Sequence, residues 1–209
     1  TVAKKTMRLM RDIVSSGELS ALAPDRVWRE TERALNEKTP RTYFSLLRTL
    51  GADNIILPFV VTDPSLDALD LMASLAPNSL HRWAGLASSA AANKQAVTPV
   101  INIPKRYDQL AARVQLYRGS PPQTPEDTLA FLEHFGAFRQ GSQLEDGLVV
   151  LGAIDEAFHR RQVARIETGN QLVTSIRGEH FIKQGLRGPE IKTAISAERL
   201  RQLCALLND

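Results

Sequence analysis

The chain has 209 residues, 43% of them apolar and 23% charged, with a net charge of +3, which suits a globular protein with one sizeable core or two small ones. Cys204 is the single cysteine, which excludes intramolecular disulfides and zinc sites built on several cysteines. The longest nearly apolar run, near 147–153, is far too short to cross a bilayer, and no basic-then-apolar leader opens the chain, so a cytoplasmic protein is expected.

Met7, Met10, Ile13 and Val14 recur at helical spacing and predict a first helix stopped by Gly17. Pro24 suits the first turn of a second helix. Asp25 complements the dipole there, and Val27, Trp28, Thr31, Ala34 and Leu35 face inward. Thr39 can cap a third helix from Pro40, with Tyr43, Phe44, Leu46, Leu47 and Leu50 mostly inward and Gly51 closing it. Beyond Pro58, Asp63 can cap a helix over 64–75, and Asn78 or Ser79 another that reaches about Ala92. The stretch 94–103, broken by Pro99, reads as a loop. Pro104 opens a strong helix that stops at Gly119, and Thr124 begins a TPED sequence resembling a capping box, ahead of Leu129, Phe131, Leu132 and Phe135. One further helix is expected from about Glu145 to Arg165. The tail reads as a short helix, a glycine-flanked turn at 185–188 and a closing amphipathic helix. No strand alternation is visible, so the fold class is all-α, a multi-helix array of short antiparallel helices.

Three stretches, in this order and spacing, carry more than periodicity. They are MRDIVSSGEL at the end of the first helix, PDRVWRE at the head of the second, and YFSLLRTLGA followed after a few residues by Pro58. Together they resemble the RNA-binding region that follows the catalytic head in bacterial CCA-adding enzymes, the tRNA nucleotidyltransferases related to poly(A) polymerases. RYDQLAARVQLYRG and QGLRGPEIKTAI extend the resemblance, which is strong over 6–51 and 185–195 and loose between them. It implies a helical neck over 1–58, a body resembling an HD domain over 59–142, and a helical tail over 143–209. It also implies a catalytic head before Thr1, where a Gly-Ser pair and a D-x-D pair would hold CTP or ATP and Mg. None of these cofactors is expected within the 209 residues, and the chain alone is expected to be inactive. A poly(A) polymerase C-terminal region and a standalone, non-catalytic RNA-binding helical protein stay open as alternatives.

In many members of this family the body is a metal-dependent phosphohydrolase, with adjacent His and Asp ligands in an R-F-A-x-L-x-H-D-L-G segment. The matching stretch here is RWAGLASSA, from Arg82 to Ala90, and it puts Ser88 and Ser89 at the ligand positions. Neither hydroxyl replaces an imidazole and a carboxylate on a divalent transition metal. His81, His134, His159 and His180 are scattered and read as surface or helix-end histidines. Asp67 and Asp70 share a helix face and read as solvated. Gly141–Ser142 has no D-x-D after it, and Cys204 lies on an apolar helix face. Metal-dependent hydrolysis and nucleotide polymerisation are therefore both unexpected from these residues.

The family assigns the PDRVWRE motif to bracing the neck, so Asp25, Arg26, Trp28 and Glu30 are expected to be scaffold residues, with Arg26 and Glu30 spaced to pair locally. RNA contact is the function that remains. Most of the 26 basic residues are arginine, whose planar fork suits phosphate. Three groups qualify: Lys105, Arg106, Arg113 and Arg118; Arg160, Arg161 and Arg165; and Lys183, Arg187 and Lys192 around the glycine turn. The expected partner is tRNA, gripped by shape and backbone, with no role for DNA or membrane.

Overall fold

Glycine and proline punctuation sets the first helix ends in the computed structural model, which describes residues 3–75, 78–93 and 98–207. Helix α1 (Lys4–Ser16) stops at Gly17 in the left-handed conformation, φ +82°. Helix α2 (Pro24–Leu35) has proline in its first turn, and α3 (Arg41–Leu50) ends at Gly51, φ +69°. Thr39 does not cap α3 with its side chain. Pro40 occupies the cap position instead.

A short helix, α4 (Asp53–Ile56), and a two-residue strand, β1 (Phe59–Val60), follow, and neither carries a periodic signal at this length. Helix α5 (Asp63–Leu75) is capped by Thr62 rather than by Asp63. Ser65 N donates to the Thr62 hydroxyl at 3.3 Å and Thr62 N to the Ser65 hydroxyl at 2.9 Å, a reciprocal cap. Asn78 caps α6 (Ser79–Ser88) by accepting from Leu80 N at 2.8 Å. That helix ends four residues earlier than its pattern suggests, and Ala91–Ala92 form β2, antiparallel to β1. Of the loop expected over 94–103, residues 94–97 lie outside the described residues, and the remainder forms no helix or strand. Helix α7 (Lys105–Tyr117) follows Pro104 as expected.

The described residues gather into two compact units, Thr1–Gln115 and Leu116–Asp209. The core of the first joins α2, α3, α5 and α6. Trp28 packs edge-on against Trp83 (ring centroids 5.4 Å apart) and Tyr107 (4.7 Å), and Phe59 lies 5.3 Å from Trp83. Both ring partners of Trp28 lie beyond residue 58, so the first three helices do not bury it alone.

In the second unit, α8 (Pro125–His134) begins with a complete capping box between Thr124 and Asp127. The single helix expected over 145–165 is two: α9 (Leu144–Ile154) and α10 (Arg160–Thr174). The break has a polar cause. The Asp155 carboxylate accepts from Ala157 N and from Gly119 N, and His159 Nδ1 accepts from Gln162 N at the head of α10. Helices α11 (Gly178–Lys183) and α12 (Pro189–Leu207) complete the unit, as the tail pattern suggests. Phe131, Phe135, Phe158, Leu151, Ile166 and Leu203 are its buried centre. The fold is mainly α, in agreement with the sequence reading.

Candidate nucleic-acid interface

The PDRVWRE motif opens α2. Asn102 pins its first turn, donating from Nδ2 to Asp25 Oδ1 at 2.7 Å and from its backbone to Pro24 O at 3.4 Å. Trp28 is buried in the ring cluster, whereas Arg26 and Glu30 are exposed. Two polar residues further along α2 are tied inward. Thr31 bonds to Val27 O and to the Tyr43 hydroxyl, and Glu32 accepts from the Tyr107 hydroxyl at 2.6 Å. Burial, and then the Glu32 carboxylate, push the Tyr107 hydroxyl above the usual phenol range. The motif's helix is therefore clamped at its start by Asn102 and along its length by Tyr43 and Tyr107.

Ser88 and Ser89 lie at the end of α6, both buried. Ser88 Oγ donates to Gly85 O at 3.4 Å, while the Ser89 carbonyl accepts from the Thr62 hydroxyl. Among the described residues no group of three or more His, Cys, Asp or Glu is arranged to hold a metal ion. Asp67 and Asp70 are not simply solvated: both accept from Arg41 Nη1, at 2.9 and 2.7 Å.

The predicted cations fall into two sorts. Arg106 and Arg118 are exposed and Arg113 is half-buried on or just beyond α7, and each already has a partner within the fold. Arg165 is also committed, donating to Gln123 O at 3.1 Å. Arg160 and Arg161, in the first turn of α10, are exposed, and so are Lys183, Arg187 and Lys192. The last three surround a tight turn. Leu186 N donates to Phe181 O and Gly185 N to Ile182 O, the paired closure that ends a helix at a left-handed glycine (φ +91°). Gly188 (φ +54°) then leads into Pro189, and the Glu190 carboxylate accepts from Arg187 N at 3.2 Å.

Lys192, Ile195, Ser196 and Arg199 share one face of α12 and, with Gly188 just before that helix, line a cleft of about 470 Å³ opposite Glu133, Phe138 and Arg139. Arg139 and Arg199 were not among the residues expected to contact RNA. The seven-residue spacing from Lys192 to Arg199 is visible in the sequence, but the approach of the 136–139 turn is not.

Residues 1–62 match the family described as the probable RNA and SrmB-binding site of polymerase A. A CCA-adding enzyme of Marinobacter nauticus is 26% identical across 100% of this chain and 59% of its own length. One from Pseudomonas putida is 30% identical across 97% of this chain and 57% of its own. A multifunctional CCA protein of Alkalilimnicola ehrlichii is 28% identical across 100% and 62%. The chain is similar to CCA-adding enzymes over its whole length. It spans about three-fifths of the curated CCA-adding relatives it matches. No solved structure gives a comparable match. Among the described residues no helix is long and apolar enough to cross a membrane.

Proposed function

We propose that this chain is the tRNA-holding and structural portion of a tRNA nucleotidyltransferase that adds CCA to tRNA 3′ ends in the cytoplasm. The observation that carries the reading is similarity to CCA-adding enzymes along the entire chain, with an RNA-binding family match at residues 1–62. In it, nucleotide transfer, with Mg and CTP or ATP, belongs to a head outside these 209 residues. Asp25, Arg26, Trp28 and Glu30 brace the neck helix, and Ser88 and Ser89 mark lost ligand positions in the body. The exposed Arg160, Arg161, Lys183, Arg187 and Lys192 supply backbone contacts, and Arg106, Arg113 and Arg118 add to them where their internal contacts can be exchanged. A poly(A) polymerase reading is less favoured, because the relatives that span the chain are named for CCA.

The test is an RNA-binding titration in salt. Each neutralised phosphate releases counterions, so three to five contacts give a log–log slope of about −3 to −4. Folded tRNA should bind more tightly than an unstructured strand of equal length, because an A-form surface is read by shape. Replacing Lys183 and Arg187 by Ala should flatten the slope by up to about two units. Equal affinity for the two RNAs, with no loss in the variant, would leave only generic attraction to a mildly basic surface.

A further inference from the structure

Arg199 is a half-buried cation of the second unit, and its surroundings are mostly neutral. Its guanidinium lies 3.5 Å from the centroid of the Phe138 ring. Nη2 donates to Ile176 O at 3.3 Å, and the buried Nε–H has no hydrogen-bond partner. Burial pushes its pKa down; Glu133 opposes that shift from a distance without forming an ion pair, and Arg177 adds to it. A half-buried guanidinium held by one long hydrogen bond and a ring face is short of negative charge. Two more cations, Arg139 and Lys192, line the same cleft, against the single acid Glu133.

We propose that this cleft receives a backbone phosphate of a folded RNA, with Phe138 and Arg199 as its floor and Arg139 and Lys192 as its rim. The proposal rests on the RNA-binding reading above and names the place where it acts. Stacking on Phe138 fixes the guanidinium plane in advance, and a planar fork presents its edge to phosphate oxygens with little further ordering. A backbone phosphate fits better than a free ion because Gly188, which ends the turn carrying Lys183 and Arg187, also lines the cleft. Phosphates on either side of the bound one then meet further cations.

The test uses the full chain with Arg139→Gln and Lys192→Gln combined. Both side chains are exposed, so the melting temperature should hold. In wild-type protein, tRNA should shift the ¹⁵N resonance of Arg199 Nε, and the double variant should flatten the log–log salt slope for tRNA by about two units. A double variant with unchanged slope and affinity, beside wild-type protein that binds tRNA, would overturn the cleft and leave the RNA reading intact. Absence of tRNA binding by the wild type overturns both. A shift of the Arg199 signal by inorganic phosphate but not by tRNA overturns the RNA assignment in favour of a free phosphate. The comparator Arg106→Gln with Arg118→Gln, whose side chains already have internal partners, should change the slope less. A larger change from that pair moves the contact to Arg106 and Arg118 and overturns the proposal.

Discussion

Arg82 in the first unit and Arg199 in the second are both drawn out of solvent, yet their surroundings differ. Arg82, 7% exposed, donates to Leu35 O at 2.6 Å and Glu37 O at 3.0 Å beyond α2, and to Ala73 O at 3.3 Å in the last turn of α5. It satisfies carbonyls that two helix ends leave unpaired, and a cation there also suits their dipoles. Arg199 rests on a ring, with one carbonyl and an unpaired Nε. The contrast extends to the surface. Arg41 and Arg48 are paired with Asp67, Asp70 and Asp63, and Arg48 holds the Asp63 carboxyl below the usual carboxylate range. Arg160, Arg161, Lys183, Arg187 and Lys192 stay exposed in the second unit. In the first unit Arg41, Arg48 and Arg82 hold chain segments together, as Arg165 does in the second; on the proposed reading the exposed cations of the second unit are the ones that meet RNA.

The strongest way to break that comparison is through the first unit's core. Trp28→Ala removes a 6%-exposed ring that touches Trp83 and Tyr107, and such a truncation costs about 3–5 kcal/mol. Chemical denaturation should show that loss, and amide exchange should accelerate first across α2, α6 and α7. An unchanged midpoint means that the ring cluster does not carry the unit. Arg82→Met follows in size. It keeps the bulk of the stem but strands the buried Leu35 carbonyl and the part-buried ones of Glu37 and Ala73, the buried acceptor alone costing about 1–3 kcal/mol. A neutral result would show that water reaches those helix ends and that Arg82 is not a staple.

What the sequence made legible is local. Pro24, Gly17, Gly51, the TPED capping box and the Gly185–Gly188 turn are all decided within a few residues, and each appears where its chemistry places it. The family motifs added the likeness to CCA-adding enzymes, which the whole-chain similarities support. What was not legible depends on residues far apart. The break between α9 and α10 arises because Asp155 also accepts from Gly119, 36 positions away. Asp67 and Asp70 look like solvated acids until Arg41 arrives from another helix. The cleft needs Phe138 and Arg139 opposite Lys192 and Arg199, and neither half carries a pattern by itself.

Gly147 tests the second unit's centre in the same spirit. It sits in α9, and a Cβ there would overlap the ring of Phe135, which is fully buried. A ring enclosed on all sides cannot step back cheaply, so Gly147→Ala should destabilise by about 1–3 kcal/mol through overpacking. Amide exchange should speed up in α8, α9 and α10 while α2 and α6 keep their protection. Equal acceleration in both units would dissolve the contrast drawn between them.

The smallest effect concerns Glu198, the acid that answers a cation inside the second unit. Its carboxylate accepts from Arg201 Nε at 2.8 Å and Nη2 at 2.6 Å, and from Gln202 at 2.9 Å. Arg201, and then Gln202, hold its pKa down from 4.5 to about 2. A depressed folded-state value means that the stabilisation is complete above the unfolded value near 4.5 and fades as pH falls toward about 2. The carboxylate is solvent-accessible, so salt should weaken the effect. Carboxyl chemical shifts followed from pH 6 downward should give a midpoint near 2; one near 4.5 removes the pairing. Arg201 is not among the cleft's lining residues. Freeing it with Glu198→Gln therefore separates the two accounts of RNA binding. A generally basic surface gains one usable cation, and its salt slope steepens by about one unit. A cleft built on Arg139, Lys192 and Arg199 gains nothing, and its slope stays where it was.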